Sequence, residues 1–130
     1  YLGGCLMKKK LLVYVAGPYS ATTLEGVEEN CCRARDVGVE LAKCGPTVGP
    51  IIPHQLGRGI EVIGDYEYWC ELTLELMRRC DVVYAMQGWE NSKGARGEVA
   101  EANKLGIPVI YHDLALFAEG VKARVAPCPR

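Results

Sequence analysis

The residues best suited to chemistry lie in one short segment, Gly88–Glu98, which reads Gly-Trp-Glu-Asn-Ser-Lys-Gly-Ala-Arg-Gly-Glu. Its serine, Ser92, and two glycines run into a predicted helix start, where free backbone N–H groups and the helix dipole favour an anion. The Ser92 hydroxyl could donate a hydrogen bond to a phosphate held there. The alternative is a strand-to-helix loop in which Ser92 only caps the helix, and spacing alone favours neither interpretation.

Glu98 ends this segment and carries the carboxylate best placed for catalysis. A glutamate in the first turns of a helix is often explained by compensation of the helix dipole. Here the predicted position also opens onto the end of the sheet at which ligands bind in open α/β folds. The helix N-terminus is expected to lower the pKa of Glu98 and to keep the carboxylate ionised.

Alternating strands and helices must position these residues. Apolar runs predict parallel strands at residues 11–16, 81–86 and 107–111, and a short run flanked by proline predicts an edge strand at residues 48–53. Helical spacing predicts helices at residues 22–44, 65–80 and 95–105, with a helical turn around Phe117. Thr22, in a Thr-x-x-Glu capping box, and Asp65 are the predicted caps of the first two helices. The fold class is therefore α/β, a single doubly wound three-layer domain with a mostly parallel sheet of about five strands.

Size and charge restrict the class of protein. The 130 residues, 49% hydrophobic and 24% charged, suit one globular domain, which we expect at residues 10–130, after an N-terminal extension of added or upstream sequence at residues 1–9. A formal net charge of −1 argues against binding of nucleic acid polymers. No apolar run reaches the roughly 18 residues that a membrane helix needs, so no membrane partner is expected.

Cysteines and histidines give little indication of a metal site. The cysteine count of seven is odd and includes no Cys-x-x-Cys pair, and His54 and His112 stand far apart. We therefore expect no metal, no cofactor and no disulfide framework. Reduced thiols predict a cytoplasmic location.

Four stretches together resemble the nucleoside 2-deoxyribosyltransferase superfamily: the run Val13–Ser20, the pair Pro53-His54, the strand Cys80–Tyr84 and the segment Gly88–Val99. They are most similar to its small uncharacterised bacterial and phage branch. The Ser-x-Gly-x-x-x-Glu spacing is also similar to that of the 2'-deoxynucleoside 5'-monophosphate N-glycosidases. The resemblance covers nearly all of residues 10–111.

The resemblance implies cleavage or transfer at the N-glycosidic bond of a nucleoside or nucleoside 5'-monophosphate. Glu98 matches the family's nucleophile, and Tyr14 matches a tyrosine that hydrogen-bonds it, although an aromatic residue on a strand is equally well explained by core packing. An ionised carboxylate suits this reaction because the transition state is oxocarbenium-like and a glycosyl ester can follow.

The substrate-binding residues that we expect are Gly17, Tyr19, His54, Trp89, Ser92, Gly94 and Arg96. Gly17 would let backbone approach the sugar, and Ser92 matches the serine that holds the 5'-phosphate. Trp89 could cover a nucleobase. Arg96 is either a phosphate ligand or a solvated surface charge, and His54 is either a proton donor or structural.

One departure from the family concerns the leaving base. Counting eight residues back from Asp81 gives Thr73, where the superfamily usually has an aspartate that assists the base. Threonine cannot act as a general acid near neutral pH. Glu71 and Glu75 point to other faces of the helix. The alternatives are therefore a non-catalytic nucleotide-binding or sequestering module, or an interaction domain that binds no nucleotide.

Self-association into a homodimer or larger homo-oligomer is also expected. The small chain leaves a shallow pocket, and superfamily members that resemble it complete their sites with a neighbouring subunit. The residues that we expect to contribute are Tyr66, Tyr68, Trp69 and Met77.

Overall fold

A computed structural model describes residues 9–125 of the chain. The strands are β1 (Leu11–Ala16), β2 (Val48–Ile51), β3 (Val82–Ala85) and β4 (Val109–Tyr111). The α-helices are α1 (Leu24–Ala42), α2 (Tyr66–Arg78), α3 (Lys93–Leu105) and α4 (Leu114–Val125). Short 3-10 helices cover Pro53–Gln55, Glu61–Ile63 and Trp89–Asn91. Of the expected N-terminal extension at residues 1–9, the structure describes residue 9, and the rest lies outside the described residues.

The four strands form one parallel sheet in the order β2-β1-β3-β4. This confirms the predicted α/β fold class, with four strands among the described residues where about five were expected. The chain places β2 beside β1 at one edge of the sheet and then crosses back to place β3 on the opposite side of β1. The strand order therefore reverses between β1 and β3, and a crevice at their carboxyl ends is the expected ligand site.

Side chains that alternate along β1 fill two cores, one on each face of the sheet. Leu11, Val13 and Val15 pack with residues of α1 and α4. Tyr14 and Ala16 pack with residues of α2 and α3 on the opposite face. Each face is covered by two helices, which gives the predicted three layers.

The helix starts follow from local capping, with one correction. Thr23, not Thr22, caps α1, and its hydroxyl accepts a hydrogen bond from Gly26 N at 3.0 Å. The Thr-x-x-Glu pattern was one residue out of register because the helix begins at Leu24. Asp65 caps α2 as predicted and accepts from Tyr68 N at 2.9 Å.

Several helix bounds differ from the pattern: α2 ends at Arg78, two residues before the expected end, and α3 begins at Lys93, two residues before the expected start. The α1 helix ends at Ala42, two residues before the expected end at Cys44. The expected turn around Phe117 is a helix of 12 residues, because Phe117 and Val121 pack into the core. Among residues 9–125, no helix is both long and apolar enough to cross a membrane.

Met77 is the clearest correction to the expected self-association surface. Its side chain is fully buried against the sheet, with Val83 and Val99 as members of the same core cluster. It therefore contributes to the core and offers nothing to a partner subunit. Tyr66 and Tyr68, at the other end of α2, are exposed.

Candidate active site

A pocket of about 530 Å³ opens at the carboxyl ends of β1 and β3. Its lining comes from the loop after β1, the segment after β2, the pocket-facing side of α2 and the start of α3. Of the residues singled out by sequence, the structure brings Gly17, Tyr19, His54, Ser92, Gly94 and Glu98 together in this lining. Thr73 also lines it.

Glu98 lines the inner side of the pocket, and Tyr14 lies behind it, outside the lining. The Tyr14 hydroxyl donates a short hydrogen bond to Glu98 Oε2. Tyr14 is completely buried in the core that β1 shares with α3, and Glu98 is 9% exposed. We call this pair and the β1 and α3 residues packed around it the buried wall. Tyr14 therefore both packs in the core and donates a hydrogen bond to Glu98.

Burial raises the pKa of Glu98 from its ordinary value of 4.5 to about 7. The hydrogen bond from Tyr14 and the nearby Thr73 hydroxyl favour the ionised form, but they offset only part of this effect. The expectation that the helix N-terminus would lower this pKa is therefore wrong in direction. Glu98 lies in the second turn of α3, beyond the first turn where the helix dipole acts most strongly.

The pKa of Tyr14 is raised far above its usual range, chiefly by burial and then by the charge of Glu98. The phenol therefore keeps its proton across the physiological range and remains a hydrogen-bond donor. Glu98 alone changes charge near neutral pH. The pair can hold a carboxylate whose ionisation is controlled by pH.

Thr73 occupies the pocket side of α2, close to this pair. Its hydroxyl donates to Cys70 O at 3.2 Å, one turn back along the helix, and it also favours ionisation of Glu98. Glu71 and Glu75 are exposed and do not line the pocket, and Glu75 pairs with Arg78 and Arg79. Neither glutamate replaces an acid at position 73.

The start of α3 has the features of an anion site. Ser92 caps the helix, and its hydroxyl oxygen accepts from Ala95 N at 3.2 Å. This cap uses the oxygen as an acceptor and leaves the hydroxyl hydrogen free to donate. The first turn contains no acidic residue and begins with Lys93, which lines the pocket. Capping and anion binding by Ser92 are therefore compatible.

His54 holds the loop that follows β1. Its Nε2 donates to Gly17 O at 3.2 Å and to Pro18 O at 3.0 Å. Burial lowers the pKa of His54, so the ring is neutral and its one N–H is engaged by these carbonyls. Within the described residues, the buried Nδ1 atom has no hydrogen-bond partner. The geometry supports the structural interpretation of His54 over that of proton donor.

Packing explains why position 17 is occupied by glycine. A Cβ atom at this position would collide with the Met86 side chain. The next residues of the loop are fixed by Asn30, whose Nδ2 donates to Tyr19 O at 3.0 Å and to Ser20 O at 3.3 Å. The backbone beside the pocket is therefore held by contacts from α1 and from His54.

Trp89 and Arg96 lie outside the pocket lining. Trp89 packs against Tyr111, with ring centroids 5.5 Å apart, and is partly buried at the core. Arg96 Nη1 donates to Glu90 O at 2.7 Å. Arg96 lies on a different side of α3 from Glu98, because residues two apart on a helix face different directions.

The outer side of the pocket is formed by residues Leu56–Leu72, which we call the rim segment. The Trp69 indole N–H donates to Gly64 O at 3.2 Å, and a Cβ atom on Gly57 would lie 2.9 Å from the Trp69 ring. The rim segment carries exposed apolar residues, and among them Val62 is 95% exposed. Local hydrogen bonds, not a buried core, hold this side.

The lining also contains residues to which sequence reasoning assigned no ligand role, among them Glu61, Asp65, Cys70 and Lys93. Glu61 and Asp65 lie among Gly57, Gly59 and Gly64, where no hydrophobic period is present to place them. Asp65 was identified only as a cap. The signal that could have identified Lys93 is its position directly after Ser92, at the start of the predicted helix. Among residues 9–125, no group of three or more metal-binding side chains is present.

Residues 11–111 match the model of a family described as Domain of unknown function (DUF4406), from the first residue of β1 to the last of β4. The match covers more than half of the chain, which therefore belongs to this family. No curated protein matches the chain. The family description states no activity, so the function must be argued from the pocket.

Proposed function

We propose that this member of the DUF4406 family cleaves or transfers the N-glycosidic bond of a nucleoside or nucleoside 5'-monophosphate, with Glu98 as the nucleophile. The observation that carries the proposal is a nearly buried carboxylate, oriented by a buried tyrosine, at the side of a pocket of about 530 Å³. A pocket of this volume is in the usual range for small-molecule sites.

The chemistry begins with ionised Glu98. Tyr14 holds Oε2, so Oε1 attacks the anomeric carbon of the sugar. The electron pair of the C–N bond leaves with the base, which takes a proton from solvent, and a glycosyl ester forms on Glu98. Water then attacks the anomeric carbon and loses a proton, which releases the sugar and restores the carboxylate. A second base in place of water gives transfer.

The start of α3 suits a 5'-phosphate. Ser92, Lys93 and the free N–H groups of the first turn lie in the same lining as Glu98. A phosphate held there is stabilised by charge-assisted hydrogen bonds, which are about twice as strong as neutral ones. The proposal therefore favours nucleoside monophosphates over nucleosides.

One observation favours a second candidate, a non-catalytic nucleotide-binding module. Thr73 stands beside Glu98 and supplies no acidic proton to a leaving base. A pocket that binds nucleotides without assisting the base would sequester them. The two candidates differ in whether bound nucleotide is recovered intact.

The direct test incubates the protein with deoxynucleosides and their 5'-monophosphates and follows free base by chromatography. Glu98→Ala is expected to reduce release by at least about a thousandfold, because the nucleophile is removed. Glu101→Ala, one turn along α3, is the matched control, since Glu101 pairs with Arg78 outside the pocket.

The outcomes separate the candidates. Release that persists undiminished in Glu98→Ala contradicts the assignment of the nucleophile. Stoichiometric binding with intact nucleotide recovered identifies the binding module. If the protein neither binds nucleotide nor releases base, an interaction domain is the remaining interpretation.

Self-association remains part of the proposal. The exposed apolar residues of the rim segment that support it include Val62, Ile63, Tyr66 and Tyr68. Light scattering at micromolar concentration is expected to show a dimer or larger species. A monomer would contradict it.

A further inference from the structure

The two ends of the pocket differ in charge. At the α3 end, the lining contains Ser92, Lys93 and Gly94, and the first turn of the helix has no acidic residue. At the rim end, the lining contains the carboxylates of Glu61 and Asp65 and, within the described residues, no lysine or arginine. Glu98 belongs to the same lining and lies in the second turn of α3.

Glu61 presents an ionised and oriented carboxylate. Both of its oxygens accept from Gly59 N at 3.1 Å, and the hydrogen bonds from its own backbone N–H and from Gly59 N lower the pKa of Glu61. The nearest cation on this loop, Arg58, is engaged by Glu28 at 2.5 Å. Glu61 therefore remains an acceptor that is not neutralised by a close ion pair.

Asp65 has acceptor capacity beyond its capping role. Oδ1 accepts from Tyr68 N at 2.9 Å, which fixes the side chain at the start of α2. Within residues 9–125, Oδ2 makes no hydrogen bond of its own. The neighbouring Tyr66 and Trp69 supply aromatic surface to the same end of the lining.

A nucleotide has a fixed polarity that matches this arrangement. With phosphate at the α3 end and the anomeric carbon at Glu98, the base extends towards Glu61 and Asp65. Carboxylates only accept hydrogen bonds, so they stabilise a base edge that carries N–H donors and repel one that presents carbonyl oxygens. Adenine, guanine and cytosine carry an exocyclic amino group, whereas uracil, thymine and hypoxanthine do not.

We infer that Glu61 and Asp65 make the pocket select nucleotides whose base carries an exocyclic amino group. This inference rests on the proposed function only in the placement of the nucleotide. It adds the substrate class and two specificity-determining residues, neither of which takes part in breaking the bond.

The test measures binding by calorimetry in the Glu98→Gln protein, so that turnover does not disturb it. Deoxycytidine monophosphate is compared with deoxyuridine monophosphate, and deoxyguanosine monophosphate with deoxyinosine monophosphate, which lacks only the amino group. The amino-bearing member of each pair is expected to bind roughly tenfold more tightly or better, as for a hydrogen bond to a charged acceptor.

Adding Glu61→Gln and Asp65→Asn is expected to reduce each preference to within about threefold. Asparagine still caps α2, so helix content measured by circular dichroism should not change. Glu67→Gln is the matched control, because Glu67 is an exposed acid in the first turn of α2 outside the lining, and it should leave the preference intact.

Equal binding of both members of each pair, a preference for the oxo bases, or a preference that survives the double substitution would overturn the inference. The proposed function is judged separately, by release of base from the wild-type protein. A clear amino preference without release supports the inference and rejects catalysis. Absence of binding to all four nucleotides overturns the inference, whereas the proposed function is decided by base release alone.

Discussion

The buried wall and the rim segment face the same pocket but are held by different forces. In the buried wall, Tyr14 is completely buried and Glu98 is 9% exposed, so packing against the sheet fixes both. In the rim segment, Val62 is 95% exposed and Ile63 is 60% exposed. There, Trp69 and the carboxylates of Glu61 and Asp65 hold the backbone through local hydrogen bonds.

The contrast separates the chemistry of the pocket from its selectivity. A nucleophile needs a carboxylate held within tenths of an ångström, which a packed core supplies. Recognition of a base edge tolerates more variation and suits surface segments. Substitutions should therefore cost stability in the buried wall and change ligand preference in the rim segment.

The largest expected effect compares a core position and a rim position on α2. Met77→Ala removes a fully buried side chain from the core beneath the buried wall and should lower the free energy of unfolding by about 2 to 5 kcal/mol. Leu72→Ala, in the rim segment, removes a side chain that is 37% exposed and should cost less than about 1 kcal/mol. Urea unfolding monitored by circular dichroism measures both. Equal costs would break the comparison.

Ionisation of Glu98 gives the next effect. Because the folded-state pKa, about 7, exceeds the ordinary value of 4.5, its contribution to stability is full below about pH 4.5 and is lost as the pH rises through 7. The loss is on the order of 3 kcal/mol. Glu98→Gln should therefore gain stability relative to wild type between pH 5 and pH 8.

Urea unfolding of wild type and Glu98→Gln at pH 5 and at pH 8 measures this gain. Because the two proteins are compared with each other at each pH, the titration of all other groups cancels. Glu101→Gln, on the same helix, should follow the wild-type pH dependence. Parallel behaviour of Glu98→Gln and wild type would show that Glu98 titrates normally and is less buried than the structure indicates.

The buried wall was largely predictable because its residues obey the hydrophobic period. The apolar run of β1 predicts a buried strand that contains Tyr14, and the helical pattern predicts Glu98 at the ligand end. The pKa of Glu98 was predicted in the wrong direction, because its burial depends on how α2 and α3 pack over the sheet. Sequence spacing along α3 contains no information on that packing.

The rim segment was predicted less completely. Its glycines predict no regular element, and the 3-10 helix Glu61–Ile63 is too short to leave a period. Asp65 was found because capping is a local signal, but its place in the lining depends on the contacts of Trp69. Trp89 fails to reach the lining because a loop sequence does not specify which way its side chains turn, whereas Arg96 lies on a different side of α3 from Glu98.

Tyr14→Phe tests whether the buried wall tunes its own nucleophile. Loss of the hydroxyl removes a donor that favours the ionised carboxylate, so the pKa of Glu98 should rise further. The pH–rate profile of base release should shift to higher pH. A loss of about 1 to 3 kcal/mol in stability at pH 8 should accompany it, because Oε2 is left without its donor. An unchanged profile would show that Tyr14 serves only packing.

The smallest expected effect concerns Ser92, at the junction of helix capping and anion binding. Ser92→Ala removes the cap that accepts from Ala95 N and should cost about 1 kcal/mol of stability. Ser92→Asp keeps the cap, so its stability should match wild type, but its added charge repels a phosphate. Calorimetry should then show monophosphate binding weakened more than nucleoside binding in both variants, and most strongly in Ser92→Asp. If monophosphate and nucleoside lose affinity equally, Ser92 acts only as the cap that positions α3 and Glu98, and the preference for monophosphates is wrong.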